Sequence, residues 1–366
     1  MRLLEGLSWL TGRIQTSLFP HIEECCEEAL TEKQKRLIMI LEIVEVEKHV
    51  DGRYNWLGRK PKDRYSIARA FVAKAVYNYP DTKAVIEALR TVGNLWRICG
   101  FHKKGDIPSS STFSRAFQEF AKSSLGDKVH DALVKEYISE EIIGHISRDA
   151  TAIEGNERSK KKKEAKVKVK KKGRPKKGEE CAEKIQTRIE KQVNQNYDEA
   201  MAGIPTCCDV GSKINAKGYK ETWIGYKLHA DTTDCGLPIT VLLTSASLHD
   251  SQVAIPMMLK TTEKTTYLYD VMDSAYDADG IYTVSRKLGH VPIIDKNPRR
   301  GDKIPMAPAE ALRYNERTVA ERFNGRLKEE FGGRNVKVRG SSKVALHLMF
   351  GVIVLFADQL LKLVAQ

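Results

Sequence analysis

The sequence predicts an α/β domain built on a mixed sheet and preceded by an all-helical N-terminal domain. Two observations predict this fold class. Apolar residues recur at helical spacing from residue 30 to about residue 140. Beyond residue 140 the apolar period changes from 3.6 to 2, and β-rich segments then alternate with helical ones. We therefore predict a helical domain at residues 1–140 and an α/β domain at residues 141–366.

Local signals divide the helical domain into separate helices. Apolar positions recur over Leu37–Val44 and again over Ile67–Ala75, and Pro80 with Asp81 starts a third helix at Thr82–Leu89.

A further pair of helices follows in the helical domain. Leu95–Ile98 precedes a break at Gly100, and Ser109–Thr112 offers several N-caps for a helix at Phe113–Ala121. A helix, a glycine turn and a capped helix are typical of a helix-turn-helix. A plain helical bundle fits the same signals equally well.

The α/β domain is predicted from alternating strand and helix patterns. The predicted strands are Ile142–Ile153, Tyr226–Thr232, Leu237–Thr244, Tyr267–Met272 and Val291–Ile294, and the predicted helices are Ser251–Lys260, Gly280–Leu288, Arg317–Phe331 and Val344–Val364. The second and third strands form a hairpin, and residues at about 155–215 interrupt the pattern as an insertion.

Composition limits the class of protein. With 366 residues, 41% of them hydrophobic, global disorder and a fibrous repeat are excluded. Seven cysteines without a C-x-x-C pair favour a reducing compartment. The start MRLLEGLSWLTGR lacks the apolar core of a signal peptide, and the apolar run Ala345–Phe356 is too short for a membrane span. We expect a soluble cytoplasmic protein without a membrane partner.

The positive charge is concentrated in one segment. Residues 158–177 hold 13 Lys and Arg against one acid, a net of +12 out of a total of +13, so the other 346 residues carry only +1. Within this basic tract, KKKGRPKKG resembles an AT-hook, in which Arg174 would enter the minor groove of DNA while Lys172 and Lys176 meet phosphates. A flexible polycationic loop that binds DNA without sequence preference is an equal alternative.

Three acids have positions that favour chemistry. Asp149 lies inside a predicted strand, Asp273 ends another, and Glu321 lies within a predicted helix. Acids from two strands and a helix can converge on hard divalent cations, and two such ions about 4 Å apart would clamp a phosphodiester. For any one of 48 acids, a solvated surface group is the alternative.

Around Glu321 the spacing is more specific. Tyr314, Arg317, Glu321 and Lys328 form Y-x2-R-x3-E-x6-K, and at about 100° per residue they fall within an arc of about 60° on one helix. An aromatic ring, two cations and a carboxylate on one stripe suit a DNA backbone that passes over the helix. The alternative is an exposed helix with i,i+4 ion pairs such as Arg317–Glu321.

This spacing resembles the Y-R-E-K signature of a branch of bacterial DDE insertion-sequence transposases. SRDATAIEG is similar to that family's first catalytic strand, residues 217–258 to its central hairpin and the following helix, and DSAYDADG to its second catalytic turn. KAVYNYPDT and PSSSTFSRAFQEF are similar to its N-terminal domain. The resemblance implies a ribonuclease-H-like fold with the catalytic and metal-binding triad Asp149, Asp273 and Glu321. Only 47 residues separate Asp273 from Glu321, so the β-insertion that some members carry there is missing.

The resemblance also implies partners and cofactors. We expect two Mg²⁺ ions, for which Mn²⁺ can substitute, and double-stranded DNA as both terminal inverted repeat and target. We expect a homodimer in a synaptic complex, in a prokaryotic cell and associated with the nucleoid. Tyr314, Arg317 and Lys328 would contact DNA near the cut, and Ser111, Arg115 and Gln118 of the capped helix would contact the repeat.

Four nearby polar residues receive structural roles. Asp250 is predicted to be a helix N-cap, His249 a core or supporting residue, Asp231 a structural acid and Asp270 a surface acid. No His and Cys cluster has zinc-site spacing.

Three functions follow from these observations. The first is a transposase that cleaves element ends and joins the 3′-OH to target DNA. The second is an inactive or domesticated DNA-binding or architectural protein, and the third is a metal-dependent nuclease without strand transfer. The intact triad argues against the second.

Overall fold

The computed structural model describes residues 29–51, 62–159, 186–214, 217–298, 301–302 and 304–365. The helices that precede the first strand are α1 (Glu32–Val44), α2 (Arg64–Val76), α3 (Thr82–Thr91), α4 (Leu95–Ile98), α5 (Ser110–Lys122) and α6 (Leu125–Tyr137). Local capping explains where several of them begin. Thr31 and Gln34 form a capping box on α1, and the Asp81 side chain accepts a hydrogen bond from the Ala84 N–H at 2.9 Å on α3. The predicted start of the third helix is confirmed.

The segment predicted as a possible helix-turn-helix forms part of a bundle. Helix α4 is a single turn, and residues 99–109, which include Gly100 at φ +88°, separate it from α5. Phe113, Phe117 and Phe120 of α5 point inward, where their rings contact Phe71 of α2. Because the apolar face of α5 is buried in this way, its polar face is the surface that it offers to solvent.

The second half contains a six-stranded mixed sheet. Its strands are β1 (Ile142–Glu154), β2 (Asp209–Ile214), β3 (Lys220–Thr233), β4 (Pro238–Ser245), β5 (Thr266–Met272) and β6 (Val291–Ile294). Along the sheet the order is β3–β1–β5–β6, and β4 and β2 pair with different parts of β3. Strand β3 is antiparallel to β1, β2 and β4, while β1, β5 and β6 run parallel. This arrangement agrees with the expected ribonuclease-H-like fold.

Strand β2 was not predicted from the sequence. It lies in the predicted insertion and pairs with Lys220–Gly225, the part of β3 that extends beyond the predicted hairpin. Its sequence DVGSKI is mostly polar, and most of its residues are exposed. A strand that only lengthens the sheet edge buries too little apolar surface to produce a period-2 signal.

The remaining helices surround the sheet. They are α7 (Arg188–Gln192), α8 (Tyr197–Ala202), α9 (Ser251–Lys264), α10 (Asp279–Lys287), α11 (Pro308–Tyr314), α12 (Thr318–Glu329) and α13 (Ser341–Val364). The two shortest of them, α7 and α8, pack on α9. The helix predicted at Arg317–Phe331 is confirmed as α12, and a 3₁₀ turn at Asn315–Arg317 separates it from Tyr314 at the end of α11.

Helix α13 joins the helical half to the sheet. It packs against α2, α5 and α6, and Phe350 stacks on Phe71 with ring centroids 5.6 Å apart. By length and composition α13 could cross a membrane, contrary to the argument that its apolar run is too short. However, 83% of its most apolar window is buried inside the protein, which confirms the predicted core helix.

A buried charge network lies on the sheet face covered by α9 and α10. Arg148 of β1 donates two hydrogen bonds of 2.7 Å to Asp231 of β3 and one of 3.4 Å to Asp270 of β5. Asp231 also accepts from Thr261 of α9, and Asp270 from Ser285 of α10, both at 2.6 Å. Asp231 is structural, as predicted.

The prediction that Asp270 is a surface acid is wrong. Its exposed fraction is 0%. Asp270 does lie on the opposite face of β5 from Asp273, but helices cover both faces of this central strand, so neither face is solvent.

We expect Arg148→Met to lower the free energy of unfolding by about 3–5 kcal/mol, because it leaves two buried carboxylates without their cation. Urea denaturation followed by circular dichroism measures this. The matched control is Arg90→Met, on the exposed side of α3, which should change stability by less than about 0.5 kcal/mol. Equal stability of the two variants would show that the network does not hold the strands together.

Candidate active site

The sheet places Asp149 and Asp273 side by side. Arg148 of β1 is in parallel register with Met272 of β5, so the next residues, Asp149 and Asp273, are neighbours across strands about 4.8 Å apart. Since successive residues point to opposite faces, both carboxylates leave the face opposite to Arg148. Asp273 is held by the turn that follows, where the Ala275 N–H donates to its Oδ1 at 2.9 Å.

Burial favours the protonated form of both carboxyl groups. Burial, with a smaller contribution from the charge of Asp273, raises the pKa of Asp149 to about 6, although the Ala150 N–H, Arg317 and Asn324 act in the opposite direction. Burial also raises the pKa of Asp273, opposed by the Ala275 N–H and Arg317. Two close carboxylates in a poorly hydrated site attract a cation.

Glu321 does not join this pair. It lies at the start of α12, which packs on β1 and β3, but its carboxylate accepts a hydrogen bond from Arg317 at 2.5 Å and its side chain is 51% exposed. Within the described parts of the chain, no three acidic, His or Cys side chains are arranged to hold a metal ion. The i,i+4 ion pair considered as the alternative is therefore present, and the predicted triad is brought together only in part.

Arg317 is the cation of the site. Its guanidinium carbon lies 5.7 Å from the centroid of the Tyr314 ring, within range of a cation–π contact. Burial alone would lower the pKa of Arg317, but Tyr314, Glu321, Asp149 and Asp273 together raise it. One guanidinium is thus shared among three carboxylates and cannot neutralise all of them.

The 3₁₀ turn changes the geometry of the predicted stripe. The 100° arithmetic fails between Tyr314 and Arg317, yet the two side chains meet because residues three apart eclipse in a 3₁₀ helix. Lys328, near the far end of α12, has no hydrogen-bond or ion-pair partner among the described residues. Burial lowers the pKa of Lys328, and Lys213 and Arg334 lower it further.

The other predicted DNA contacts lie away from the carboxylates. Ser111, Arg115 and Gln118 are exposed on α5, and no contact in the described residues joins them to Asp149 or Asp273. The predicted AT-hook contacts all lie outside the described residues, namely Lys172, Arg174 and Lys176.

Of two residues beside the site, Asp250 differs from its prediction, whereas His249 is positioned to support the site, as predicted. Asp250 occupies the N-cap position of α9, but its side chain does not cap the helix and accepts a 2.8 Å hydrogen bond from Lys227 instead. His249 is bonded to the Ser251 hydroxyl at 2.8 Å and lies near enough to Asp273 to affect its charge.

Sequence reasoning missed Asn324. Its side-chain amide donates to Asp149 Oδ2 at 3.0 Å, while its own Oδ1 is buried and has no hydrogen-bond partner within the described residues. Asn324 is three residues after Glu321, so both lie on one face of α12. Only this spacing could have signalled it, because an uncharged residue does not stand out among catalytic acids.

The donor set fits a hard divalent cation. Asp149, Asp273 and the unpaired Asn324 Oδ1 are all oxygen donors, which Mg²⁺ and Mn²⁺ prefer. A buried acceptor without a donor is otherwise costly, so a cation beside Asn324 would satisfy it.

Two models of known protein families match parts of the chain. A family model described as "Transposase DDE domain" matches residues 203–357, which include Asp273 and Glu321 but not Asp149. A second, described as "Transposase domain (DUF772)", matches residues 24–119. No curated protein and no solved structure matches the chain.

We expect Asn324→Leu to weaken Mn²⁺ binding by roughly 10–100-fold, since it removes the group that orients Asp149. Titration of the DNA-free protein, followed by electron paramagnetic resonance of free Mn²⁺, measures the affinity. Arg322→Ala, exposed on the same helix, is the control and should bind Mn²⁺ as the wild type does. Unchanged affinity in Asn324→Leu would remove Asn324 from the site.

Proposed function

Because the chain belongs to the DDE transposases of insertion sequences, we propose that it binds terminal inverted repeats, cleaves the element ends and joins them to target DNA. The observation that carries this proposal is the pair Asp149 and Asp273 on adjacent strands with the signature helix α12 packed against them. The spacing of Tyr314, Arg317, Glu321 and Lys328 supports membership of the Y-R-E-K branch.

The reaction would have two steps. A water oxygen forms a bond to phosphorus at the element end while the bond to the 3′ oxygen breaks and leaves a 3′-OH. That 3′ oxygen then attacks a target phosphodiester and displaces a target 3′-OH. When bound, two Mg²⁺ or Mn²⁺ ions supply Lewis-acid stabilisation of the charge that develops on the phosphate oxygens. Asp149, Asp273 and Glu321 would hold them, with Asn324 orienting Asp149.

The cations of the signature would hold the DNA. Lys328 lies about 10 Å along α12 from Glu321, at about 1.5 Å per residue, and Arg317 lies on the other side of Glu321 in the 3₁₀ turn, so both reach neighbouring phosphates. Tyr314 would stack on a base or bond to a phosphate. Arg and Lys cannot ligate Mg²⁺, so these residues would act on DNA.

Binding would be divided along the chain. Residues 1–140 would recognise the repeat through Ser111, Arg115 and Gln118, whose exposure on α5 leaves them accessible. Residues 141–366 would carry catalysis, and the tract 158–177 would add salt-dependent affinity without specificity. We further propose a homodimer in the synaptic complex and a location in the cytoplasm, at the nucleoid.

We expect Asp273→Asn to reduce cleavage of a DNA that carries the flanking repeats by roughly 10³-fold or more, while leaving DNA binding intact. Gel assays of strand cleavage and joining, with Mg²⁺, measure both steps. Asp279→Asn, at an exposed position six residues further on, is the control and should cleave normally. Cleavage without joining by the wild type would favour a nuclease, and full cleavage by Asp273→Asn would refute the assignment.

We expect Lys328→Ala to slow end cleavage roughly 10–100-fold through loss of a charged phosphate contact, with unchanged Mn²⁺ affinity. Calorimetry gives the metal affinity and single-turnover cleavage gives the rate. Lys287→Ala, exposed on α10, is the control with normal rates. A large loss of metal binding in Lys328→Ala would mean that the face of α12 has been assigned wrongly.

A further inference from the structure

A cavity lies between the helical bundle and the segment that follows α12. It has a volume of about 450 Å³ and is enclosed by α2, the start of α3, α5, α13 and the segment 331–339 that follows α12. None of Asp149, Asp273 and Glu321 lines it. The volume falls within the range of small-molecule sites, so a single nucleotide would fit.

The inner wall of this cavity is aromatic. Phe71, Phe117, Phe331 and Phe350 all line it. Phe71 stacks on Phe350 and also contacts Phe117, with ring centroids 4.9 Å apart. Such a wall favours a planar, apolar group.

The cavity also contains a buried cation. Lys74 of α2 is only 8% exposed and lines the cavity, yet within the described residues its ammonium has no hydrogen-bond or ion-pair partner. Burial lowers the pKa of Lys74 to about 8, with Asp81 opposing this. The nearby His347 is hydrogen-bonded through Nε2 to the Gly332 carbonyl oxygen at 3.0 Å. The stem of Lys74 is buried while the residue lines the cavity, so its ammonium is available to an anion that enters there.

The rim of the cavity is cationic as well. Its charged residues are Lys83, Lys337, Arg339 and Lys343, against the single acid Asp81. The Asp81 carboxylate already accepts the Ala84 N–H of α3, so it is not directed solely at Lys74. The hydroxyls of Ser110 and Ser114 supply neutral hydrogen-bonding groups on the α5 side. A dianion would therefore meet excess positive charge at the entrance and at depth.

We propose that this cavity binds a nucleotide, with its phosphate on Lys74 and the rim cations and its base against the phenylalanine rings. The ligand is either a free nucleotide or an unpaired nucleotide of a bound DNA. The second source rests on the proposed function, because it requires that the chain binds DNA. It is also favoured by position, since segment 331–339 directly continues the signature helix α12.

The test uses the full chain without metal, so that no cleavage occurs. Calorimetry compares dAMP with deoxyadenosine. We expect dAMP to bind at least tenfold more tightly, and Lys74→Met to lose at least tenfold of the dAMP affinity. Lys122→Met, an exposed residue at the end of α5, is the matched control with wild-type affinity. Equal binding of nucleoside and nucleotide, or unchanged affinity in Lys74→Met, would overturn the proposal.

The melting temperature shows whether a variant that loses dAMP binding is still folded. Without ligand, Lys74→Met should melt at the same or a higher temperature than wild type, because it replaces a charge that burial disfavours with an apolar side chain. A second variant, Ser114→Trp, fills the cavity from its exposed wall and should also abolish dAMP binding while leaving Lys74 in place. Retained affinity in Ser114→Trp would place the nucleotide elsewhere and overturn the assignment.

A DNA arm separates the two sources. A duplex with one unpaired 3′ nucleotide should bind more tightly than a blunt duplex if the ligand belongs to DNA, and Lys74→Met should remove the difference. If dAMP binds but the two duplexes do not differ, the ligand is a free nucleotide. We expect Asp273→Asn still to bind dAMP. If this variant loses cleavage but binds dAMP, the result bears only on the catalytic proposal. Cleavage without dAMP binding concerns this cavity alone.

Discussion

The fold depends on a single guanidinium buried in the middle of the sheet. Arg148 of the central strand β1 bridges Asp231 on one neighbouring strand and Asp270 on the other, and burial alone would lower its pKa, whereas these two acids raise it. A planar fork can meet a carboxylate with two parallel hydrogen bonds, which fixes register as well as distance. A slip of one residue would turn Arg148 to the other face, so the network specifies which face carries Asp149.

The register of β1 in turn places the catalytic pair. Arg148 and Asp149 are consecutive, so their side chains point to opposite faces of the sheet. Because Arg148 lies on the side of α9 and α10, Asp149 lies on the side of α12. Helix α12 is held there by the long apolar helix α13, which also anchors the N-terminal bundle. A continuous core therefore links the helices that we assign to DNA recognition with the sheet that we assign to catalysis.

Much of this could be predicted from the sequence, for physical reasons that also explain the failures. Elements that bury apolar residues on one face, such as α5 with Phe113, Phe117 and Phe120, carry a periodic signal. Strand β2 buries little and carries none, and the 3₁₀ turn at Asn315–Arg317 does not alter the polar pattern around it. Asp270 was misjudged because alternation gives the face of a residue but not what covers that face.

The two charge clusters on opposite faces of β1 show why one is structural and the other suits chemistry. Both Asp231 and Asp270 have donors on each carboxylate oxygen, from Arg148 and from hydroxyl groups. In the described residues, Asp273 accepts a hydrogen bond from Ala275 alone, and Arg317 shares its charge between this pair and Glu321. The carboxylate oxygens of Asp231 and Asp270 are thus already hydrogen-bonded and are not free to bind a ligand. The carboxylates of Asp149 and Asp273 accept few hydrogen bonds, and Arg317 shares its charge with Glu321. The pair can therefore bind further positive charge. A divalent ion suits the pair best, because its charge is compact and its ligands are oxygens.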